Sequence, residues 1–497
     1  MLRVPAIALV LLFGTVCQVP PSTATPAPTG AQAGGTLRVA LPAEVTSFDP
    51  WNADPASLVA TRQIFETLVE LDPVTSRITP ALSSSWQMTN DGASWTFTLR
   101  EGVSFHDGNP LDAPAVAASF ERGRRASAYR ALFDDPSAIL SVQAVDSRTV
   151  RFDLRAPLGP FLAHLASPQA AIARANGAGT GPFAASAAAL APDGTLTLRR
   201  NDSYWRRDAS GKQLPYLDGL VLRPVRDATS RLAELRAGRV EVALDLPIAQ
   251  ASSARSDPSL VLSPRKDAAL ASLGIDTTTA PFDRAEARHA VAMAVNRSAL
   301  AAIYAGTSRP ATQVVPPGSL GHDDSVVEFA ALDVDAARKA LADGHVPTPV
   351  SAELAYPSAP TAAYPDPQRI AQSIAADLGK IGIVARLRAV DPTAIRDAKA
   401  TFTLDTTVIG LDPDDVFSPL YGGDDRSGAS LIVGLVRKAR ADADPTKRAE
   451  LYKQVSKIAR TDVLRVPLLF ADRPNAATAR LVGFTGIDYF GTVWLRP

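Results

Sequence analysis

Five histidines, His106, His164, His289, His322 and His345, are scattered along 497 residues. No two stand four apart, and neither His-Glu-x-x-His nor Cys-x-x-Cys occurs, so the usual protein-built transition-metal sites are missing. Gly-x-Ser-x-Gly, which presents a serine nucleophile on a sharp strand-to-helix turn, is absent too. Ser263-Pro264-Arg265-Lys266 has the Ser-x-x-Lys spacing, whose chemistry needs a helix to stack the lysine one turn from the serine. Pro264 in a strand-like context works against that helix, and the match reads as chance. Gly177-Ala-Gly179-Thr-Gly181-Pro182-Phe183 has the glycine density of a phosphate-cradling loop. It lacks the Gly-Lys-Ser/Thr ending, and Pro182 removes an N–H where such a loop needs donors; it reads as a chain-reversing hinge loop. Acidic groups at Asp323-Asp324, residues 412–415 and Asp424-Asp425 lack the Asp-x-Asp-x-Asp-Gly spacing of a calcium loop and read as exposed turns. We therefore expect no enzyme, no metal and no cofactor.

Composition narrows the partners. Lys and Arg total 51 and Asp and Glu total 51, so net charge is zero. Nucleic-acid binders carry a basic excess, and none is expected here. At about 100–200 residues per domain the length implies two to four domains. The single cysteine, Cys17, excludes an intrachain disulfide framework. It ends a leader, residues 1–17, in which Arg3 precedes an apolar run of signal-peptide length. That run falls short of the roughly 20 residues of a spanning helix, so the chain is expected to be exported. Cys17 then has two fates. It is the acylated cysteine of a lipoprotein, tethered to the membrane by the Pro/Ser/Thr-rich residues 18–34; or it is removed or buried, with cleavage after Ala24 or Ala33. A chain with its one cysteine at this spot favours the anchor, although Val16 is a poor residue to precede it.

The elements that must position any site are legible by period. Strands are expected at residues 37–41, at Trp95, Phe97 and Leu99, at Val150, Phe152 and Leu154, at Val240, Val242 and Leu244, and at residues 466–470. Helices are expected over residues 113–125, 227–238 and 445–460, the first started by Asp112 and Pro114. Residues 281–306 read as one helical region with Asp283 as N-cap, Glu286 completing a capping box and Gly306 as the stop. Residues 350–388 read as a βαβ unit with Ile370, Ile374 and Leu378 on the buried helix face, which predicts parallel strands. The class is mixed α/β.

Motifs in order along the chain then carry a resemblance. They include Gly35-Thr-Leu-Arg-Val-Ala, Thr46-Ser-Phe-Asp49-Pro50, Ile64-Phe-Glu-Thr-Leu68, Trp95-Thr-Phe-Thr-Leu-Arg100 and Gly102-Val-Ser-Phe-His106-Asp107-Gly108-Asn-Pro110-Leu. Gly179-Thr-Gly-Pro-Phe183, Arg200-Asn-Asp-Ser-Tyr-Trp205, Leu378-Gly-Lys-Ile-Gly-Ile383 and Asp412-Pro413 follow. The chain resembles the family 5 extracytoplasmic solute-binding proteins of ABC importers, the group with oligopeptide-, dipeptide- and nickel-binding members. Trp86, which ends the further motif Thr79-Pro-Ala-Leu-Ser-Ser-Ser-Trp86, is read as core with Trp95 and Phe105, and His106 as a structural hydrogen-bonder.

The resemblance implies a periplasmic-binding-protein-like fold: two lobes joined by a hinge, built from three domains with a discontinuous domain I. Expected boundaries are domain I at 35–75, 179–272 and 472–497, domain II at 76–178 and domain III at 273–471, with hinge crossings at 271–276 and 470–473. It implies a monomer that closes on a small-molecule or peptide ligand and meets ABC permease and ATPase subunits. By the same resemblance the ligand meets Asp54 and Ala56 on one side and Asp405, Thr406, Thr407 and Ile409 on the other. The family's ligand-facing Trp and its ammonium-binding Asp fall on Thr406 and Ile409, and the aromatics near the crossing into domain III are replaced by Ala269-Leu270-Ala271-Ser272. An ordinary peptide N-terminus would then lack its carboxylate, unless Asp405 or Asp54 supplies it; a modified peptide, sugar or other polar metabolite would fit. Nickel is disfavoured by the scattered histidines. Two other roles stay open on this scaffold: a sensor or chaperone not coupled to import, and a cleft hydrolase, for which no nucleophile–base pair is visible.

Overall fold

The computed structural model describes residues 30–496 apart from 73–76, 90–91, 134–137, 328–330 and 423–429. Cys17, the leader, most of the tether and Asp424-Asp425 lie outside these residues. Three sheets organise the described chain. A seven-stranded sheet runs Leu260–Leu262, Ala476–Thr478, Val242–Ala243, Thr36–Leu41, Gly219–Pro224, Leu196–Arg200, Phe183–Leu190. Its strands come from the start, middle and end of the chain, which is the discontinuity the resemblance implies. A six-stranded sheet runs Ser308–Pro310, Arg465–Arg473, Arg265–Ile275, Phe402–Val408, Val350–Pro357, Ile383–Val390. A four-stranded antiparallel sheet, Ser83–Met88, Ser94–Leu99, Thr149–Leu154 and Ile139–Ala144, forms the third body.

Alternation explains the strands. Trp95, Phe97 and Leu99 are buried, as are Val150, Phe152 and Leu154 on the neighbouring strand. Aromatics concentrate in this body: Phe97 meets Phe152 at 5.5 Å, Phe152 meets Phe120 at 4.9 Å and Phe120 meets Trp51 at 5.4 Å between ring centroids. Each such side chain contributes about 1.5–3 kcal/mol by burial. Trp51, placed by the Asp49-Pro50 turn, lies against Gly123 of helix Ala113–Gly123. A Cβ at Gly123 would stand 2.4 Å from the Trp51 ring, so the close approach requires glycine.

The βαβ unit forms as its pattern predicts. Val350–Pro357 and Ile383–Val390 pair in parallel, and helix Pro367–Gly379 buries Ile370, Ile374 and Leu378. Residues 281–306 differ from expectation. They form two helices, Ala285–Ala294 and Arg297–Ile303. Asn296 breaks the run because its side chain accepts from the Ala299 N–H at 3.0 Å while its own N–H donates to Asp377 at 3.0 Å. Arg284, not Asp283, holds the first N-cap position, with no side-chain cap bond.

The chain passes between the seven- and six-stranded sheets twice, at Ser263-Pro264 and at Pro474-Asn475. The Ser263 N–H donates to the Asn475 carbonyl at 2.7 Å, tying the crossings together. Residues 271–276, the expected first crossing, lie almost wholly within strand Arg265–Ile275, already in the six-stranded sheet. Beside the crossings the pairing of Arg265–Ile275 with Arg465–Arg473 slips between Arg265 and Ala269. Asp472 fills the slip, accepting from the Lys266 ammonium at 2.8 Å and the Asp267 N–H at 3.0 Å. Asp267 there has φ 50°, a left-handed conformation that bends the strand.

Candidate functional site

At this junction of the two sheets lies a cavity of about 460 Å³, the size of a small-solute pocket. Thr46, Asp54, Ala56 and Val59 line one side and Asp245 and Arg473 another, with the Glu44–Arg226 pair at 2.7 Å also on the wall. Of the expected ligand contacts, Asp54 and Ala56 are therefore on the cavity wall. Helix Pro55–Ile64 puts them there. Pro55 suits its first turn, and the Asp54 side chain caps it, accepting from the N–H groups of Ala56 and Ser57 at 2.9 Å each. The Ser57 hydroxyl donates to Asp54 at 2.8 Å, and Thr46 donates to it as well. Burial pushes the Asp54 carboxyl up, but these four donors outweigh it and hold it below the usual carboxylate range. Asp54 is thus an ionised cap whose lone pairs are largely engaged within the protein.

The other expected contacts sit on strand Phe402–Val408 of the six-stranded sheet and just beyond it. Asp405 is buried and paired with the Arg465 guanidinium, which also donates to the Ser272 hydroxyl at 3.1 Å. Thr406 shares a hydrogen bond with Thr361 at 2.9 Å, and Thr407 is buried, accepting from Arg396 at 3.3 Å. Ile409 packs against the core cluster that contains Phe417 and Tyr452, its N–H donating to the Ala268 carbonyl at 3.2 Å. Val408 between them is 66% exposed. A 20 Å³ void lined by Tyr421, Arg460 and Arg465 is large enough for one water molecule and too small for a solute.

Arg473 and Asp245 were not legible as site residues. They form an ion pair between positions 228 apart in sequence. Asp245 holds φ 53°, with its N–H donating to the Asn475 side chain at 2.9 Å. A non-glycine residue in that conformation costs free energy and concentrates at functional positions. The available signal was Arg473 itself, at the end of the expected second crossing.

His106 takes the structural role expected of it. Its ring Nε2 meets the Gly181 carbonyl at 3.0 Å, and its N–H donates to the Gly179 carbonyl at 2.8 Å. The glycine loop thereby joins the first and third bodies. Next to it the buried Glu66 carboxylate accepts from Thr180 at 2.9 Å, Tyr204 at 2.8 Å and Trp205 at 2.9 Å. Burial nonetheless raises the Glu66 pKa, opposed by Arg206 and these donors. The Ser263/Lys266 spacing spreads over a crossing and a strand, with Lys266 held by Asp472.

This two-lobed geometry has a close counterpart. Residues 77–428 match the profile of the bacterial extracellular solute-binding proteins, family 5. The chain belongs to that family. Family 5 relatives include the heme-binding protein A of Haemophilus influenzae, 27% identical over 90% of this chain and 90% of that protein. The glutathione-binding protein GsiB of Salmonella paratyphi A is 26% identical over 94% of this chain and 93% of its own length. HbpA2 from Haemophilus parasuis superposes with a TM-score of 0.83 at 25% identity, covering 93% of this chain and all of that one. The shared family is one of solute-binding proteins.

Proposed function

We propose that this family 5 protein captures a small, polar, peptide-like solute outside the cytoplasm and hands it, as a monomer, to the permease and ATPase subunits of an ABC importer. The observation that carries the reading is the solute-sized cavity beside the hinge, walled by Asp54 and Ala56 and met by Arg473 at the end of its strand in the six-stranded sheet. On the facing lobe the expected substitute carboxylate, Asp405, is already engaged by Arg465, and Thr406 and Ile409 bring none. A buried ammonium left without a carboxylate costs several kcal/mol. The free N-terminus of an ordinary peptide is therefore not the feature recognised from that side. One relative is named for glutathione, in which the first peptide bond runs through a side-chain carboxyl, and glutathione is the first probe.

The test is native mass spectrometry of the purified protein for co-purifying solute, followed by thermal-shift titration. A true ligand at a hundred times its Kd should stabilise the fold by about 2.7 kcal/mol. Strong stabilisation by ordinary dipeptides, lost when their N-termini are acetylated, overturns the reading of Thr406 and Ile409. We read residues 1–17 as a leader and Cys17 as an acylated membrane anchor. Labelled palmitate should enter the wild type in cells and not Cys17→Ser. Equal labelling of both removes the anchor.

A further inference from the structure

The second crossing between the sheets is pinned on both sides of a single residue, Arg473. On the six-stranded side the Asp472 N–H donates to the Thr307 carbonyl at 2.8 Å, and its carboxylate takes Lys266 and the Asp267 N–H. On the seven-stranded side the Leu246 N–H donates to the Pro474 carbonyl at 2.9 Å and the Asp245 N–H to the Asn475 side chain. Asn475 is buried, and its amide donates to the Gly486 carbonyl at 2.9 Å. Gly486 in turn lies against Ser263-Pro264 of the first crossing. Pro264 and Pro474 fix φ on that side of both crossings. What remains to turn is Arg473 in one strand and residues 266–268, which have no ladder partner, in the other.

The Arg473 side chain reaches back across this swivel. Its Nε and Nη2 each meet one oxygen of Asp245. Asp245 belongs to the seven-stranded lobe, just after strand Val242–Ala243. Buried Arg231 fixes it there, donating to the carbonyls of Leu244 at 3.1 Å and Asp245 at 2.7 Å. Both members of the pair are cavity wall. The pair coexists with contact between the lobes away from the hinge, where His164 meets Asp415 at 3.2 Å.

We infer that Asp245 and Arg473 are positioning residues whose pairing holds the hinge in its closed, lobe-contacting arrangement from within the cavity wall. Turning the backbone at Arg473 swings its guanidinium away from an Asp245 that cannot follow, because Arg231 and Asn475 anchor it. A bidentate guanidinium–carboxylate pair is specific in geometry, so it favours one hinge angle over others. A two-state hinge is biased only by contacts that differ between its states, and this pair is such a contact at the place where a solute sits. The inference deepens the solute-binding reading and rests on it for the role of the cavity.

The test reads lobe separation in the full chain, freed of bound solute by prolonged dialysis. Nitroxides are placed at Ala156→Cys and Thr446→Cys, exposed positions close in sequence to Gly159 and Arg448, with Cys17→Ser removing the natural thiol. Distances are measured by pulsed electron double resonance. Asparagine replaces Asp245 because it accepts the left-handed φ of 53°. Asp245→Asn and Arg473→Gln should each lower the fraction at the short, lobe-contacting distance about threefold, the size expected of a partly exposed pair. Combined, they should lower it no further than either alone. Glu101→Gln, which breaks a pair within one lobe, should leave the distances unchanged. Melting temperatures check the fold of each variant. A wild type without the short distance, variants that keep it, or additive effects in the double variant each overturn the inference. Solute capture is read separately, by the mass spectrometry described above. Captured solute with unchanged distances in the variants overturns the hinge contact and leaves the binding reading standing. Changed distances with no solute captured overturn the binding reading and leave the hinge contact.

Discussion

Asp412 and Arg448 show what a single residue contributes when it is buried and charged. The Arg448 guanidinium donates to both Asp412 oxygens, at 2.9 and 2.5 Å, and both side chains are at most 6% exposed. Asp412→Ala strands the cation, and we expect a loss of about 3–5 kcal/mol in urea unfolding, as for other broken buried pairs. A loss under 1 kcal/mol would show that water or Asp414 takes over. Asp208 makes a different prediction. The Ser210 hydroxyl and the Tyr216 hydroxyl at 2.6 Å, with two backbone N–H groups, hold its carboxyl at about 2. A folded pKa below the unfolded value adds stability above the unfolded pKa, and that stability disappears as pH falls towards 2. Asp208→Asn should therefore melt lower than wild type at pH 6, and the gap should close by pH 2. A gap independent of pH would place the effect in packing. The acidic sequence run around Asp412 reads as an exposed turn; the fold instead buries Asp412 and Asp414, because Arg448 and Arg440 arrive from 36 and 26 residues downstream of them.

At the scale of elements, local pattern was a sound guide wherever one face met one core. The strand through Phe97, the helix capped by Asp112 and the parallel pair 350–357 with 383–390 all follow from period and capping. Pattern failed at Asn296, because the break depends on a bond to Asp377, which no local window contains. The glycine loop at 177–183 is likewise explained by a neighbour. A Cβ at Gly179 would stand 2.0 Å from the Ile64 carbonyl oxygen and 2.6 Å from the Phe65 ring. Gly179→Ala should destabilise by about 1–3 kcal/mol through overpacking, with urea midpoints as the measure. Gly177→Ala, where the added atom meets open space but φ is 81°, tests backbone strain alone. If both cost the same, the close approach to Ile64 is not what selects glycine.

Over the whole molecule the lobes meet away from the hinge as well. The Gly159 N–H donates to the Arg440 carbonyl at 2.7 Å, Arg448 donates to the Gly159 carbonyl at 3.1 Å, and His164 Nε2 meets Asp415 at 3.2 Å. Burial raises the Asp415 pKa, but the His164 contact and backbone donors bring it below its usual value. A Cβ at Gly159 would stand 2.4 Å from Arg448 Nε and 2.5 Å from the Asp442 carbonyl, so Gly159→Ala wedges the lobes apart. At about 1–3 kcal/mol of overpacking this weakens ligand affinity roughly 5- to 150-fold. Small-angle scattering should record a larger radius of gyration in the variant. Unchanged affinity and radius would mean that closure does not use this contact.

Period, caps and motif order sufficed for the class, the elements and the family, because those depend on interactions within a few residues or on recurrent local packing. Asp54 and Ala56 came from the resemblance, and the fold places them at the start of a helix whose cap is local. The partners of Asp54 across the cavity were not legible. Arg473 reaches Asp245, and both stand opposite helix Pro55–Ile64, only because two strands that change sheets bring the middle and end of the chain back to its start. Tertiary structure alone also decided that Asp405 belongs to Arg465: a charge on a strand can face solvent, solute or a buried cation, and the choice is made by what packs above it.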